Sequence, residues 1–379
     1  MRFSLIFILL IAGSYSSLSQ SGVTSGTGSS DDDTPKYSNE FLNIGVGARA
    51  LGMSNSFIAS ADDVYAGYWN PAGLVDIKDE FQGAVMHSEY FAGIAKYDYI
   101  GLAKSIDNKS SVGFSVIRFG VDDIPNTTQL IDAQGNLDYD RVTTFSAADY
   151  GFIFSYARRL KKTGVSFGTN AKIIYRRIGD FSNAFGFGID ASINYDYKKY
   201  RFSAVGRDIT TTVNSWNTDL GEEVEEIFTL TGNEIPGKSL EVTLPRIILA
   251  AKRLTSISEK LNLITEIDLN FTTDGRRNTI IQSDNFSADP TFGVELSYKD
   301  KLFIRGGIGN IQEASSLVPI DLSSVEPSDE GVINSVWTFQ PNFGLGLKLK
   351  NITLDYALTD IGNASDALYS NVFSIRLSL

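Results

Sequence analysis

In residues 185–197 every odd position is apolar or aromatic, from Phe185, Phe187 and Ile189 to Tyr195 and Tyr197. The even positions are Gly186, Gly188, Asp190, Ser192, Asn194 and Asp196. A period of two belongs to a β-strand whose two faces meet different surroundings, because successive side chains leave the pleat on opposite sides. Residues 261–271 repeat the pattern, setting Leu261, Leu263, Thr265, Ile267, Leu269 and Phe271 against Asn262, Ile264, Glu266, Asp268 and Asn270. Shorter stretches at 165–175, 292–298, 343–349, 352–358 and 373–379 do the same and add Glu295 and Asp355 to the polar face. The chain must build a sheet with an apolar side and a wet side, and little else fits so many repeats.

A soluble sandwich also alternates, so the segment ends and the connections have to separate the two cases. Tyr and Phe collect at the ends, as in the aromatic girdles at a bilayer's interfaces. Tight turns near 106–109, 161–164, 198–199, 255–260, 299–301 and 350–351 alternate with longer polar connections near 121–148, 179–183, 210–240, 272–288, 310–337 and 361–368. Short turns on one side and long loops on the other predict an all-β fold: a transmembrane antiparallel β-barrel of about fourteen strands in the outer membrane, surrounded by its lipid. Composition agrees, with 24 Phe, 17 Tyr, 34 Gly and 9 Pro. An apolar content of 42% is too low for a helical membrane protein, and no run after residue 20 approaches the roughly 18 apolar residues of a spanning helix. Cysteine is absent, which excludes disulfides and thiolate chemistry, and a net charge of −12 argues against nucleic acid as a partner.

Ahead of the first strand the chain divides by composition. Arg2, the apolar residues 3–12 and the small residues Ser17 and Ser19 predict a signal peptide over 1–19. Residues 20–40, rich in Ser, Gly, Thr and Asp, read as a flexible linker. Residues 41–80 read as an N-terminal plug, or hatch, and 81–379 as the barrel. The plug carries Gly45, Gly47 and Gly52, the acidic pair Asp62 and Asp63, and the turn at Asn70-Pro71. It has too few alternating positions for a wall strand, so Leu51, Phe57, Tyr68 and Trp69 are expected inside the periplasmic half of the barrel. Charges there must be paired, which predicts that Arg49 or a wall cation bonds Asp62 and Asp63, with Trp69 wedged against the wall and Pro71 fixing the turn into the barrel.

The residues ARALGMSNSFIASADD (48–63) and YWNPAGL (68–74) resemble the PorV/PorQ family of outer-membrane barrels. More distantly, Asn70-Pro71-Ala72, here followed by Gly73, and the preceding acidic pair resemble the hatch of FadL-type hydrophobe transporters. The first resemblance implies a non-enzymatic component of type IX protein secretion, with the secretion translocon and secreted cargo proteins as partners; this is the favoured expectation. The second implies a passive transporter of small hydrophobic molecules, with a hydrophobic ligand between plug and loops. An enzyme is not expected: His87 is the only histidine, and the inward polar residues Asp190, Asn194, Asp196, Glu266, Asp268, Glu295 and Asp355 read as lumen lining rather than catalytic groups. No metal or cofactor is expected. Glycines near Gly45 and Gly306 lack the spacing of phosphate loops and read as bends. The acidic run Glu222, Glu223, Glu225 and Glu226 reads as solvated loop charge.

Overall fold

The computed structural model describes residues 38–128, 130, 137–161, 163–230, 232, 234–317, 333–359 and 370–379. The expected signal peptide, linker residues 20–37 and the connection 361–368 lie outside them.

Seventeen strands among the described residues form one sheet. They are β1 (Phe81–Tyr90), β2 (Ala95–Asp107), β3 (Ser110–Asn126), β4 (Thr143–Arg159), β5 (Val165–Ile178), β6 (Ser182–Tyr197), β7 (Tyr200–Arg207), β8 (Thr212–Thr218) and β9 (Ser239–Thr243). The rest are β10 (Arg246–Ser258), β11 (Leu261–Thr272), β12 (Ile281–Gln282), β13 (Ser287–Tyr298), β14 (Leu302–Leu317), β15 (Ile333–Leu349), β16 (Ile352–Thr359) and β17 (Ser370–Ser378). β1 to β7 pair in order, β7 passes to β10 and β10 to β11, β13 follows, and β13 to β17 again pair in order. β17 returns to β1, with Val85 opposite Ile375 and His87 opposite Phe373. These fourteen strands close an antiparallel barrel, so the sheet has no free edge along its wall. The other three decorate it. β8 continues along the upper part of β6 where β7 has ended, β9 pairs with β8, and β12 caps the start of β13.

The alternation sorts as the period requires. Phe185, Phe187, Ile193, Ile267, Phe373 and Ile375 are exposed on the outside, while Asp190, Asn194, Glu266, Asp268, Glu295 and Asp355 are buried inside. A bare apolar exterior on a closed, hydrogen-bonded wall is stable only in lipid, and no helix among the described residues is long and apolar enough to cross a membrane. Outer-membrane localisation follows from that exterior.

β3 and β4 are 17 residues each, well past the 9–11 a tilted strand needs for the bilayer. Much of what reads as long loop is therefore strand standing above the membrane. The connection after β7 holds β8, β9 and a helix, Glu222–Leu230, which takes up the acidic run expected in a loop. Pro245 sits just before β10, where its missing N–H costs no ladder bond.

Candidate functional site

Residues 38–80 pass through the lumen as short turns rather than strands: Glu40–Leu42 and Pro71–Asp76 are 3-10, and Ala48–Leu51 and Ala66–Trp69 are single α-turns. Their apolar side chains supply most of the buried core, with Val46, Met53, Phe57, Ile58, Val64, Tyr65 and Leu74 packing on wall residues Tyr97, Tyr99, Ile117 and Ile174. Each such side chain withdrawn from water contributes about 1.5–3 kcal/mol, which is why the segment fills the barrel. Ser38 and Asn39, expected as the end of a flexible linker, are buried and bonded to Thr243, and Asn214 donates to Asn39. The segment thus reaches higher than the periplasmic half, because its leading amides find partners where β8 and β9 extend the wall.

The wall is carved to accept it. A Cβ on Gly307 would lie 2.3 Å from the Met53 carbonyl carbon, one on Gly168 2.3 Å from the Ala72 nitrogen, and one on Gly344 3.1 Å from the Gly52 Cα. Gly306 and Gly307 lie within β14 and are not bends, and Gly307 is small because the Met53 backbone touches it.

Charge is concentrated on one seam. Arg49 donates to both Glu295 oxygens at 2.9 and 3.0 Å and to Asp62 and Asp63 at 2.7 and 3.2 Å. Arg305 bonds Glu295 at 2.6 Å and Asp355 at 2.7 Å, and Arg376 bonds Asp63. The acidic pair is held by both Arg49 and a wall arginine. Burial pushes the Asp62 carboxyl up, but the charge of Arg49 beside it outweighs this and holds the group well below the usual carboxylate range. On the next arc, Glu266 accepts from the Ala59 N–H at 2.5 Å, and Asp268 from the N–H groups of Phe57 and Ile58 at 3.0 and 3.2 Å. These two carboxylates bind turn backbone that no helix or sheet satisfies.

The Asn70-Pro71 turn is fixed from both sides. Asn70 donates to the Ile58 carbonyl and to Asn194 at 2.7 Å each, the Ala72 N–H donates to Ser192, and Ser166 donates to the Ala72 carbonyl. A Cβ on Gly73 would meet the Ala61 oxygen at 2.0 Å, so glycine is required there. Trp69 packs edge-on against Tyr68 and Phe57 and donates to the Val46 carbonyl, with Arg207 the wall side chain over its ring. It braces the segment against itself and meets the wall through Arg207. Asp190 is bonded by Lys172 at 2.8 Å and by Asn170. Asp196 is not in the lumen. It stands half-exposed at the periplasmic rim, where Arg201 bridges it to Asp76. His87 faces outward and pairs with Asp98 at 2.7 Å.

The segment leaves one side of the lumen open. A chamber of about 540 Å³ lies between it and β13–β17, and a narrower one of about 160 Å³ runs down beside β7, β10, β11 and β13. Asn43, Asn55, Asp289 and Thr291 line both, so the two chambers adjoin as a cleft beside the segment. The sequence places these residues on the polar side of their strands or in the segment, and nothing in it marks them as a group.

No protein-family model matches the sequence, and no curated protein does. Solved structures share the fold. The CymD monoaromatic hydrocarbon channel matches with a TM-score of 0.54 at 10% identity, over 89% of this chain and 98% of that one. The Pseudomonas putida toluene transporter TodX gives 0.51 at 11%, over 88% and 99%, and a Pseudomonas aeruginosa FadL homologue 0.50 at 12%, over 87% and 97%. At such identities the likeness concerns the fold alone, and the PorV/PorQ resemblance of residues 48–74 finds no support in it. The chain is an outer-membrane β-barrel of fourteen wall strands with the fold of the FadL-type channels.

Proposed function

We propose that the protein is a passive channel for small molecules, with residues 41–80 as its plug and the cleft beside the plug as the route. The observation that carries this reading is the cleft itself, two adjoining chambers that share Asn43, Asn55, Asp289 and Thr291 beside the plug. The likeness to channels for monoaromatic hydrocarbons and toluene supports transport ahead of the secretion role that the sequence favours, and makes small apolar molecules the first solutes to try. The paired charges of Arg49, Arg305 and Arg376 favour a plug that stays seated while solute passes beside it.

Deleting residues 43–74 and recording in planar bilayers tests the plug. Conductance is expected to rise well above that of the intact chain. Equal conductance in the two would remove the plug, and co-purification of the full chain with a large translocon and cargo would restore the secretion reading.

A further inference from the structure

We infer that the outer face of the barrel carries a seat for the phosphorylated headgroup of an outer-leaflet lipid, between Arg118 on β3 and Arg177 on β5. The inference starts from a cavity of about 480 Å³ on the outside of the wall, away from the lumen and its cleft. Parity along the strands sets its side. Ile117, Ile153 and Ile174 are buried with the plug, so Arg118, Ala148, Tyr150 and Arg177, which line the cavity, face out.

Strand register fixes the height. Arg118, Tyr150, Tyr175 and Phe185 are direct neighbours across β3 to β6, and the three rings pack in a row with centroids 6.2 and 4.8 Å apart. Below Phe185 the outer face of β6 stays apolar down to Tyr195 beside a short turn, and residues 185–195 match the about 9–11 with which a tilted strand crosses the hydrocarbon. Tyr150, Tyr175 and Phe185 are therefore the outer aromatic girdle, and the next row up stands among headgroups. That row is Gly120, Ala148 and Arg177. The Arg118 guanidinium leans into it, since a Cβ on Gly120 would lie 2.8 Å from its Nη2. The row thus runs cation, small residue, cation over two strand spacings, about 10 Å, which suits a phosphate with a guanidinium on each flank.

Both arginines keep donors to spare. Arg118 stands 3.6 Å from Asp98 and from Asp122, beyond hydrogen-bond length, and Lys96 holds Asp122 at 3.1 Å. Arg177 donates through Nε to the Gly179 carbonyl at 2.7 Å and through Nη2 to Asp180. The Asp180 side chain is 92% exposed, so that pair is screened and readily exchanged. Planar guanidinium forks match phosphate oxygens, and basic pockets at headgroup level take phosphorylated lipids. Phe145 and Phe181, in edge contact at 5.3 Å, close the cavity on the side away from the girdle. On the other side the wall continues into Phe154, Ile173 and Phe187, all exposed. An occupant with acyl chains buries those side chains as its phosphate is bound, which inorganic phosphate cannot do.

The test uses the detergent-solubilised full chain and native mass spectrometry, with bisphosphorylated lipid A as the probe. One lipid A per barrel is expected to bind saturably, and its dephosphorylated form at least fivefold more weakly. Arg118→Gln combined with Arg177→Gln should weaken lipid A binding at least tenfold. Ala148→Leu fills the dent and leaves every charge in place; it should weaken binding severalfold, and it serves if the double variant loses the slow gel migration of a folded barrel. At the opposite, periplasmic end, Arg253→Gln removes an exposed arginine that lies over Tyr200 and should change nothing. Equal binding of lipid A and its dephosphorylated form, or equal binding by wild type and the folded variants, would overturn the inference. So would an equal loss in Arg253→Gln, which means general attraction to charge, or displacement of lipid A by inorganic phosphate at equal concentration, which means a site for the free ion. None of these readouts depends on whether the barrel conducts.

Discussion

Gly307 and Gly309 stand two residues apart on β14, both turned to the lumen, and they border two different materials. Above Gly307 the plug backbone is in contact, and the wall around it carries Glu295, Arg305 and Asp355 bonded in series with Arg49. At Gly309 a Cβ would meet the Thr291 methyl at 3.0 Å and the Ser54 carbonyl oxygen of the plug only at an ordinary 3.4 Å, and the residue lines the upper chamber. One side of the lumen is a dry seam in which every named charge has an opposite within bonding distance. The other is a cleft lined by amides and the Asp289 carboxylate, side chains that make no ion pair among the described residues like that of Arg49 and Glu295. Under the proposed function the first region anchors and the second is the route, within one barrel and with the same residue types.

The seam breaks hardest at Arg49. Arg49→Leu leaves Glu295, Asp62 and Asp63 with one cation fewer in a buried setting, and removing one member of a buried ion pair costs about 3–5 kcal/mol. Thermal melting followed by circular dichroism should drop accordingly, and a shift within error would mean that the seam does not anchor the plug. Next in size is the glycine pair. Gly307→Ala drives a methyl into Met53 and is expected to cost about 1–3 kcal/mol, as overpacking does, while Gly309→Ala stays within about 0.5 kcal/mol because Thr291 can yield into the cleft. Equal losses at both positions would erase the distinction between the two regions.

Asp190 shows how far the sequence carries such distinctions. Its parity in residues 185–197 correctly turns it inward, and on parity alone its amide variant should cost little. Yet Lys172 stands against it at 2.8 Å and shares its Nζ with Asp208 at 2.6 Å, so Asp190→Asn weakens a buried pair. Period two tells which face a side chain takes, because that is local to the strand. It carries nothing about what waits there, since Lys172, Asp190 and Asp208 meet through strand pairing set by closure of the whole wall. For the same reason the strand count was legible from turns and alternation, and so was the pairing of Arg49 with the acidic residues, which are close in the chain. The partners Arg376 and Arg305 were not, nor was the misfit of Asp196, which continues the inward parity one step past the lumen's edge. The three glycines against Met53, Ala72 and Gly52 look in sequence like any flexible position; only the plug's path makes them necessary.

The smallest effect tests the border of the seam, at Asp62. Asp63 is buried, whereas the Asp62 side chain keeps 40% of its surface open, so its bond to Arg49 is screened and its removal should cost about 0.2–1 kcal/mol. Since Arg49 holds the Asp62 carboxyl below the usual range, the folded protein binds that proton less readily than the unfolded chain. The contribution is then fully present above the unfolded carboxyl's value near 4 and fades as the pH falls below it. The difference in melting temperature between wild type and Asp62→Asn should be constant from pH 8 to pH 5 and narrow under stronger acid. A difference that instead grows on acidification reverses the sign and places Asp62 outside the Arg49 field. A difference as large as that of Arg49→Leu would move Asp62 into the dry seam and shift the boundary between anchor and cleft.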